Sequence, residues 1–237
     1  MAEDAGRDEI PVSGAQVRVR RSVLLFTVPL ALLAVLTAVL VWESIRSNVT
    51  PGAQSQWPWR LHLMDTEVLG SLLALSLGVV LARAQYARTV RPHLGWRGIW
   101  VKGALVGGAP AWRVGILNGG QYTAVIDSWN IRVVLKGEED APDGPWKSVS
   151  GAAAELATAG FVAGVDFRLI EFGAGFPLMG GVGGHETVLV GAFSEGFARQ
   201  VESLYVRARV TDVAGDTHER ITDCMKGMWT DRAVAAE

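Results

Sequence analysis

The sequence predicts a membrane-anchored all-β protein, a two-helix transmembrane hairpin followed by an antiparallel β-sandwich. Three observations predict it. Two apolar runs lie within the first 86 residues, basic residues gather outside both, and from about residue 110 short alternating runs are punctuated by glycine. The hydrophobic fraction of 49% is concentrated in the two runs.

Residues 1–21 are polar at first, with Glu3, Asp4, Asp8 and Glu9, and read as a disordered cytoplasmic tail ending in Arg18, Arg20 and Arg21. The uncharged run 22–42 is 21 residues long, close to the ~20 needed to cross ~30 Å of hydrocarbon. A secretory signal has a shorter apolar region and a small-residue cleavage site, and Trp42-Glu43 is not one, so a retained span is expected. Pro29 lies inside it and should free one backbone carbonyl. Residues 43–63 hold Pro51, Gly52 and Trp57-Pro58-Trp59, which argues for a non-helical external loop. Trp42, Trp57 and Trp59 suit the headgroup layer, where an indole keeps its ring apolar and its N–H wet.

The second span is placed at 64–86. Only 15 residues separate Glu67 from Arg83, so Arg83 should snorkel outward and Asp65 and Glu67 should lie at the opposite rim. Gly70, Ala74, Gly78 and Ala82 recur every fourth residue and form a small-residue stripe. The preferred reading packs this stripe on the first span, with Ala31, Ala34 and Ala38 as the complement; the other is homo-oligomerisation. Basic residues number four before the first span and five from Arg83 to Lys102, including Arg88 and Arg91, against two in the connecting loop. The positive-inside rule then puts both termini in the cytoplasm and the protein in the cell (inner) membrane as a multi-pass protein. The same arginines could contact acidic lipid headgroups.

Residues 87–109 read as a basic juxtamembrane connector and 110–230 as the sandwich, with a short tail at 231–237. Trp112 to Leu117 is a strand that leads into Asn118-Gly119-Gly120, read as a turn with positive φ. A long strand follows, with a bulge near Asp127-Ser128 and with Ile131, Val133 and Leu135 facing the core. A short helix over 151–160 is capped by Ser150. Strands are expected at 165–172 and 187–193, flanking a glycine-rich loop at 173–184. Residues 203–213 alternate, with Leu204, Val206, Ala208 and Val210 on one face and Tyr205, Arg207 and Arg209 on the other. Ala214-Gly215-Asp216 then turns into a partner strand over 217–224.

Arg113 to Gly120, the strand with its tryptophan, Phe176-Pro177-Leu178 and the closing hairpin from Tyr205 to Trp229 resemble the immunoglobulin-like domains of uncharacterised bacterial membrane proteins. The resemblance implies an immunoglobulin-like sandwich and brings no catalytic residues. With Cys224 as the single cysteine, the inter-sheet disulfide of antibody domains is absent. The excess of arginine over lysine, 18 to 4, suits a GC-rich bacterial genome.

Composition also bears on function. From Gly98 onward twelve basic face seventeen acidic residues, so the folded part lacks the basic face of a nucleic-acid reader. Gly180, Gly181, Gly183, Gly184 and His185 form a candidate ligand loop, without the lysine and hydroxyl ending of a P-loop. The His185-Glu186 and His218-Glu219 pairs alternate in facing, and His218 and Cys224 lie ~20 Å apart on an extended strand, so no catalytic group is assembled. No metal or cofactor is expected, since the acidic stretch 138–143 lacks a calcium-loop pattern. The expected function is that of a membrane-tethered binding or scaffolding protein whose partners are the lipid bilayer and another protein. Two alternatives stand beside it: a subunit assembled through the second helix, as a homo-oligomer or in a membrane complex, and a membrane-anchored hydrolase or nucleotide-binding enzyme using the glycine loop.

Overall fold

The computed structural model describes residues 14–20, 23–138, 144–181 and 187–229. Arg21–Thr89 forms one compact unit, and the segments on either side of it together form the other.

The first unit is a helical hairpin. Helix α1 (Val23–Ser47) continues past Pro29, and α3 (Thr66–Thr89) returns. Both contain stretches long and apolar enough to cross a membrane, Thr27–Ser47 and Thr66–Thr89. The residues withdrawn from solvent follow the spacing of paired helices. On α1 they include Leu33, Leu36, Val39, Leu40 and Glu43; on α3 they include Leu69, Leu72, Leu73, Ser76, Val80, Ala84 and Ala87. Leu33, Leu36, Leu40, Leu69, Leu72 and Leu73 stand among them, and none of the stripe residues does. Gly70, Ala74, Gly78 and Ala82 are all exposed, as are Ala31, Ala34 and Ala38, and a Cβ added at Gly70 or Gly78 would meet nothing within 4 Å. The expected packing of the small stripe on α1 is thus corrected. The stripe faces away because it is offset around the helix from the Leu69–Leu73–Ser76–Val80 row.

The connecting segment also departs from expectation. Instead of a loop from residue 43, helix α1 continues to Ser47, and Pro51 opens a one-turn helix α2 (Pro51–Gln54). Proline fits there because a first-turn residue needs no N–H donor. The carboxylate of Glu43, 5% exposed, accepts from the Leu63 N–H at 2.6 Å and from Arg46 Nη1 at 3.0 Å. Arg46 Nε donates to the Trp59 carbonyl, and Gln54 Nε2 donates to the carbonyls of Arg46 and Val49. A buried carboxylate and its arginine thus tie the turn to the end of α1.

The second unit contains two antiparallel sheets. One has five strands in the order β1 (Val17–Arg20), β9 (Thr217–Asp223), β8 (Val201–Thr211), β4 (Ala124–Leu135) and β6 (Pro177–Leu178). The other has four, in the order β2 (Leu94–Lys102), β3 (Pro110–Asn118), β7 (Val188–Ser194) and β5 (Phe167–Leu169). The main hydrophobic core draws on both sheets. At one place in it Phe197 lies 4.9 Å from Phe161, 5.8 Å from Phe167 and 5.1 Å from Phe193 between ring centroids. Phe197 is carried by α5 (Glu195–Gln200), whose first turn is capped by Ser194 Oγ.

Two boundaries move. Val17–Arg20, expected in a disordered tail, is an edge strand paired with β9, and Leu94–Lys102, expected in a connector, is a nine-residue strand paired along its length with β3. In β2 the alternation of Leu94, Trp96 and Trp100 toward the core outweighs its arginine and lysine, whereas β1 is exposed throughout and is held by its pairing with β9. The helical hairpin is therefore an insertion between the first and second strands of the sheet domain.

Asn118-Gly119-Gly120 is also not a hairpin turn. It carries the chain from the four-stranded sheet to the five-stranded one. Asn118 is buried with every hydrogen-bonding position used: its Oδ1 accepts from the N–H groups of His93 and Gly120, and its Nδ2 donates to the carbonyls of Tyr122 and Leu178. Gly120 is required by closeness, since a Cβ there would stand 2.9 Å from the Arg91 carbonyl oxygen. The bulge expected at Asp127 is present, where the β4–β8 register shifts between Ile126 and Ser128. Helix α4 (Val149–Thr158) starts two residues before the expected position, capped by Ser148 rather than Ser150.

Candidate functional site

The outer face of the five-stranded sheet carries a cluster of polar and aromatic side chains. Strand alternation puts Asn130 and Arg132 of β4 on this face, opposite Arg207 and Tyr205 of β8 in the register. A short segment before α4 pairs with the free side of β4 through Lys147 and Ile131, and it lays Trp146 across the arginines. The Arg207 guanidinium stands 4.5 Å from the Trp146 ring centroid, and that of Arg132 stands 5.6 Å from Trp146 and 4.6 Å from Tyr205. Arg207 also donates to Asn130 Oδ1 at 3.2 Å. Burial lowers the Arg207 pKa, the neighbouring Arg209 adds to this, and Glu219 partly opposes it. Arg209 itself is paired with Glu219 at 2.5 Å. A planar guanidinium held against an indole is suited to carboxylates, because its orientation is fixed before the ligand arrives.

A second polar cluster closes the β8–β9 turn. Asp212 accepts from the N–H groups of Ala214 and Asp216, and its other oxygen lies 2.9 Å from His218 Nε2. Burial alone would raise this carboxyl, but the hydrogen bonds from His218, Asp216 and Ala214 outweigh it and hold the pKa below the ordinary aspartate value. His218 is thus engaged with Asp212, whereas its sequence neighbour Glu219 serves Arg209. Cys224 is buried, and burial followed by the nearby Asp223 pushes its thiol well above the usual range, which opposes the thiolate a nucleophile needs.

The sequence-derived site residues scatter. Arg18 pairs with Asp216 at 3.3 Å, Arg20 lies in β1, Arg91 donates to the Gln16 carbonyl, and Arg83 and Arg88 lie in the last turns of α3. Arg21 falls outside the described residues. Trp42 and Trp59 stack at 5.3 Å, while Trp57 is 76% exposed. In the candidate ligand loop, Gly183, Gly184 and His185 lie outside the described residues. Gly180 is occupied in packing, since a Cβ on it would come within 2.4 Å of the Tyr122 carbonyl oxygen. Among the described residues, no group of three or more His, Cys, Asp or Glu side chains could hold a metal ion.

The alternation of β8 already placed Tyr205 and Arg207 on the outer face. Trp146 had no local signal, because it acts through a pairing with β4 that joins residues 16 positions apart. No family model matches the chain, and neither a curated protein nor a solved structure matches it.

Proposed function

We propose that this chain is a membrane-anchored binding or scaffolding protein. Its immunoglobulin-like β-sandwich is held at the cytoplasmic face by the hairpin of α1 and α3, and the partner is a protein presenting carboxylates to the arginine–tryptophan face. One observation carries this reading: the apolar hairpin is inserted between β1 and β2 of a single folded domain. A chain that leaves a domain and re-enters it must return to the side from which it left, so an even number of crossings follows. The basic residues outside both helices choose the cytoplasmic side. Two sheets sharing a core support the sandwich, and the half-buried Arg207, stacked on Trp146, supplies a preorganised contact surface.

The test is photo-crosslinking in intact cells from a benzoylphenylalanine replacing Arg209, beside the cluster. A discrete protein adduct that disappears in the Arg207→Gln variant is expected. No adduct, or one indifferent to Arg207→Gln, would overturn the assignment of this face.

The outward position of Gly70 and Gly78 favours a second reading, in which the stripe meets another membrane helix of a complex or of a second copy. Gly78→Leu should then dissociate native complexes extracted in mild detergent. Intact complexes in that variant would exclude the stripe.

A further inference from the structure

Five buried polar atoms without a hydrogen-bond partner belong to one region between the sheets: Trp96 Nε1, Trp129 Nε1, His218 Nδ1, Arg220 Nε and Thr222 Oγ1. The register places them together. Trp129, Ala208 and Arg220 form one cross-strand row on the core face, flanked by the rows Ile126–Val210–His218 and Ile131–Val206–Thr222. Ala208, the smallest side chain in its row, lies between Trp129 and Arg220. From the opposite sheet Trp96 stacks on Trp129 at 6.0 Å. Trp129 is 7% exposed and His218 is 2% exposed, so water outside the fold satisfies neither.

The neighbouring indoles show that this is a local property. Trp100 Nε1 donates to the Met228 carbonyl and Trp112 Nε1 to the Cys224 carbonyl, both supplied by the turn that follows β9. Trp96 and Trp129 are given no such acceptor. Arg220 donates one N–H to the Leu94 carbonyl. The acids beside it in sequence are engaged elsewhere, Glu219 with Arg209, Asp212 with His218, and Asp223 with Ser203 and the N–H groups of Leu204 and Met225. A half-buried guanidinium whose Nε is enclosed and two enclosed indole N–H groups share the need for an acceptor that bears negative charge.

We propose that this seam binds a small oxyanion of single negative charge, of carboxylate or phosphate type. Its oxygens accept from Trp96, Trp129 and Arg220, with Thr222 beside them. His218, whose Nε2 faces the Asp212 carboxylate, brings its otherwise unpartnered Nδ1 to the margin of the site. The site lies at the edge where Gln16 bridges the sheets, donating to the Pro92 carbonyl at 2.7 Å and accepting from the Leu94 N–H at 3.0 Å.

The test uses the full chain labelled with ¹⁵N in its tryptophan indoles, held in a maltoside detergent that contributes no phosphate. Inorganic phosphate and acetate are titrated in separate arms at constant ionic strength, with chloride as control. Indole signals of Trp96 and Trp129, assigned through Trp96→Phe and Trp129→Phe, should shift saturably in at least one arm, while those of Trp100 and Trp112 stay in place. Arg220→Gln should weaken the binding roughly tenfold or more, the order expected for losing a charged hydrogen bond. Should that variant fail to fold, Thr222→Val should still weaken it about two- to tenfold. Shifts that do not saturate, that appear equally across the indoles, or that no anion produces would overturn the site.

Discussion

The two units handle apolar surface in opposite ways. In each candidate span of the hairpin only 11% of the window is buried within the chain, and Leu75 is 66% exposed. In the sheet domain Phe193 and Phe197 are fully enclosed. The hairpin leaves its apolar side chains outside any interior of its own, whereas the domain makes its own interior. Polar groups divide differently. Each unit has a turn closed by one buried carboxylate, Glu43 in the hairpin and Asp212 in the domain, and each is satisfied by backbone N–H groups and a nitrogen-bearing side chain. Where the chain reverses, both units rely on the same chemistry.

The sharpest way to break this comparison is to remove matched apolar groups. Phe197→Ala should cost about 3–5 kcal/mol, read from denaturant unfolding of the detergent-solubilised chain by near-ultraviolet circular dichroism. Leu75→Ala should change the same transition by less than about 0.5 kcal/mol. Equal effects would mean that the domain lacks the core described above. Next in size come the glycines. A Cβ at Gly98 would stand 2.0 Å from the Trp112 ring, so Gly98→Ala should destabilise the domain by about 1–3 kcal/mol. Gly70→Ala, into open space, should leave the helical signal on heating unchanged or slightly strengthened.

The two aspartates of the β8–β9 region sharpen the contrast within one unit. Because the folded carboxyl of Asp212 is held below its unfolded value of about 3.9, its contribution is complete above that pH and falls away as pH drops through the lower folded value. Burial raises Asp223 despite the opposing bonds from Met225, Leu204 and Ser203, so its contribution is present below the unfolded value and is lost as pH rises through the folded one. Melting temperatures followed from pH 6 to pH 3 should therefore fall less steeply in Asp212→Asn than in the parent, and more steeply in Asp223→Asn. A modest loss is expected at the α4 cap, where Ser148→Ala should cost about 1 kcal/mol by the same unfolding assay.

Much of this architecture could be read from residue order, because its signals are local. The two long apolar helices follow from uninterrupted apolar length, and the β8–β9 hairpin from strict alternation around Ala214-Gly215-Asp216. What escaped depends on pairing at a distance. Val17–Arg20 is too short to announce itself as a strand until β9, 197 or more residues later, lies beside it. Leu94–Lys102 alternates, but its arginine and lysine drew it into the basic flank of the second span. The offset of the Gly70 stripe from the helix contact could not be seen because small and large side chains both qualify for helix packing. The outer-face cluster was half visible: Arg132, Tyr205 and Arg207 lie on the polar side of their strands, and only the fold brings Trp146 to them.

The central claim, that the hairpin crosses the membrane and returns the chain to a cytoplasmic domain, is tested most directly by thiol accessibility. In a Cys224→Ala background, Ser55→Cys places one thiol on the exposed segment after α2, and Ala157→Cys places one on the exposed end of α4. An impermeant maleimide should label the first variant in intact cells and the second only after permeabilisation. Labelling at Ala157→Cys in intact cells, or protection at Ser55→Cys until the membrane is opened, would contradict the account.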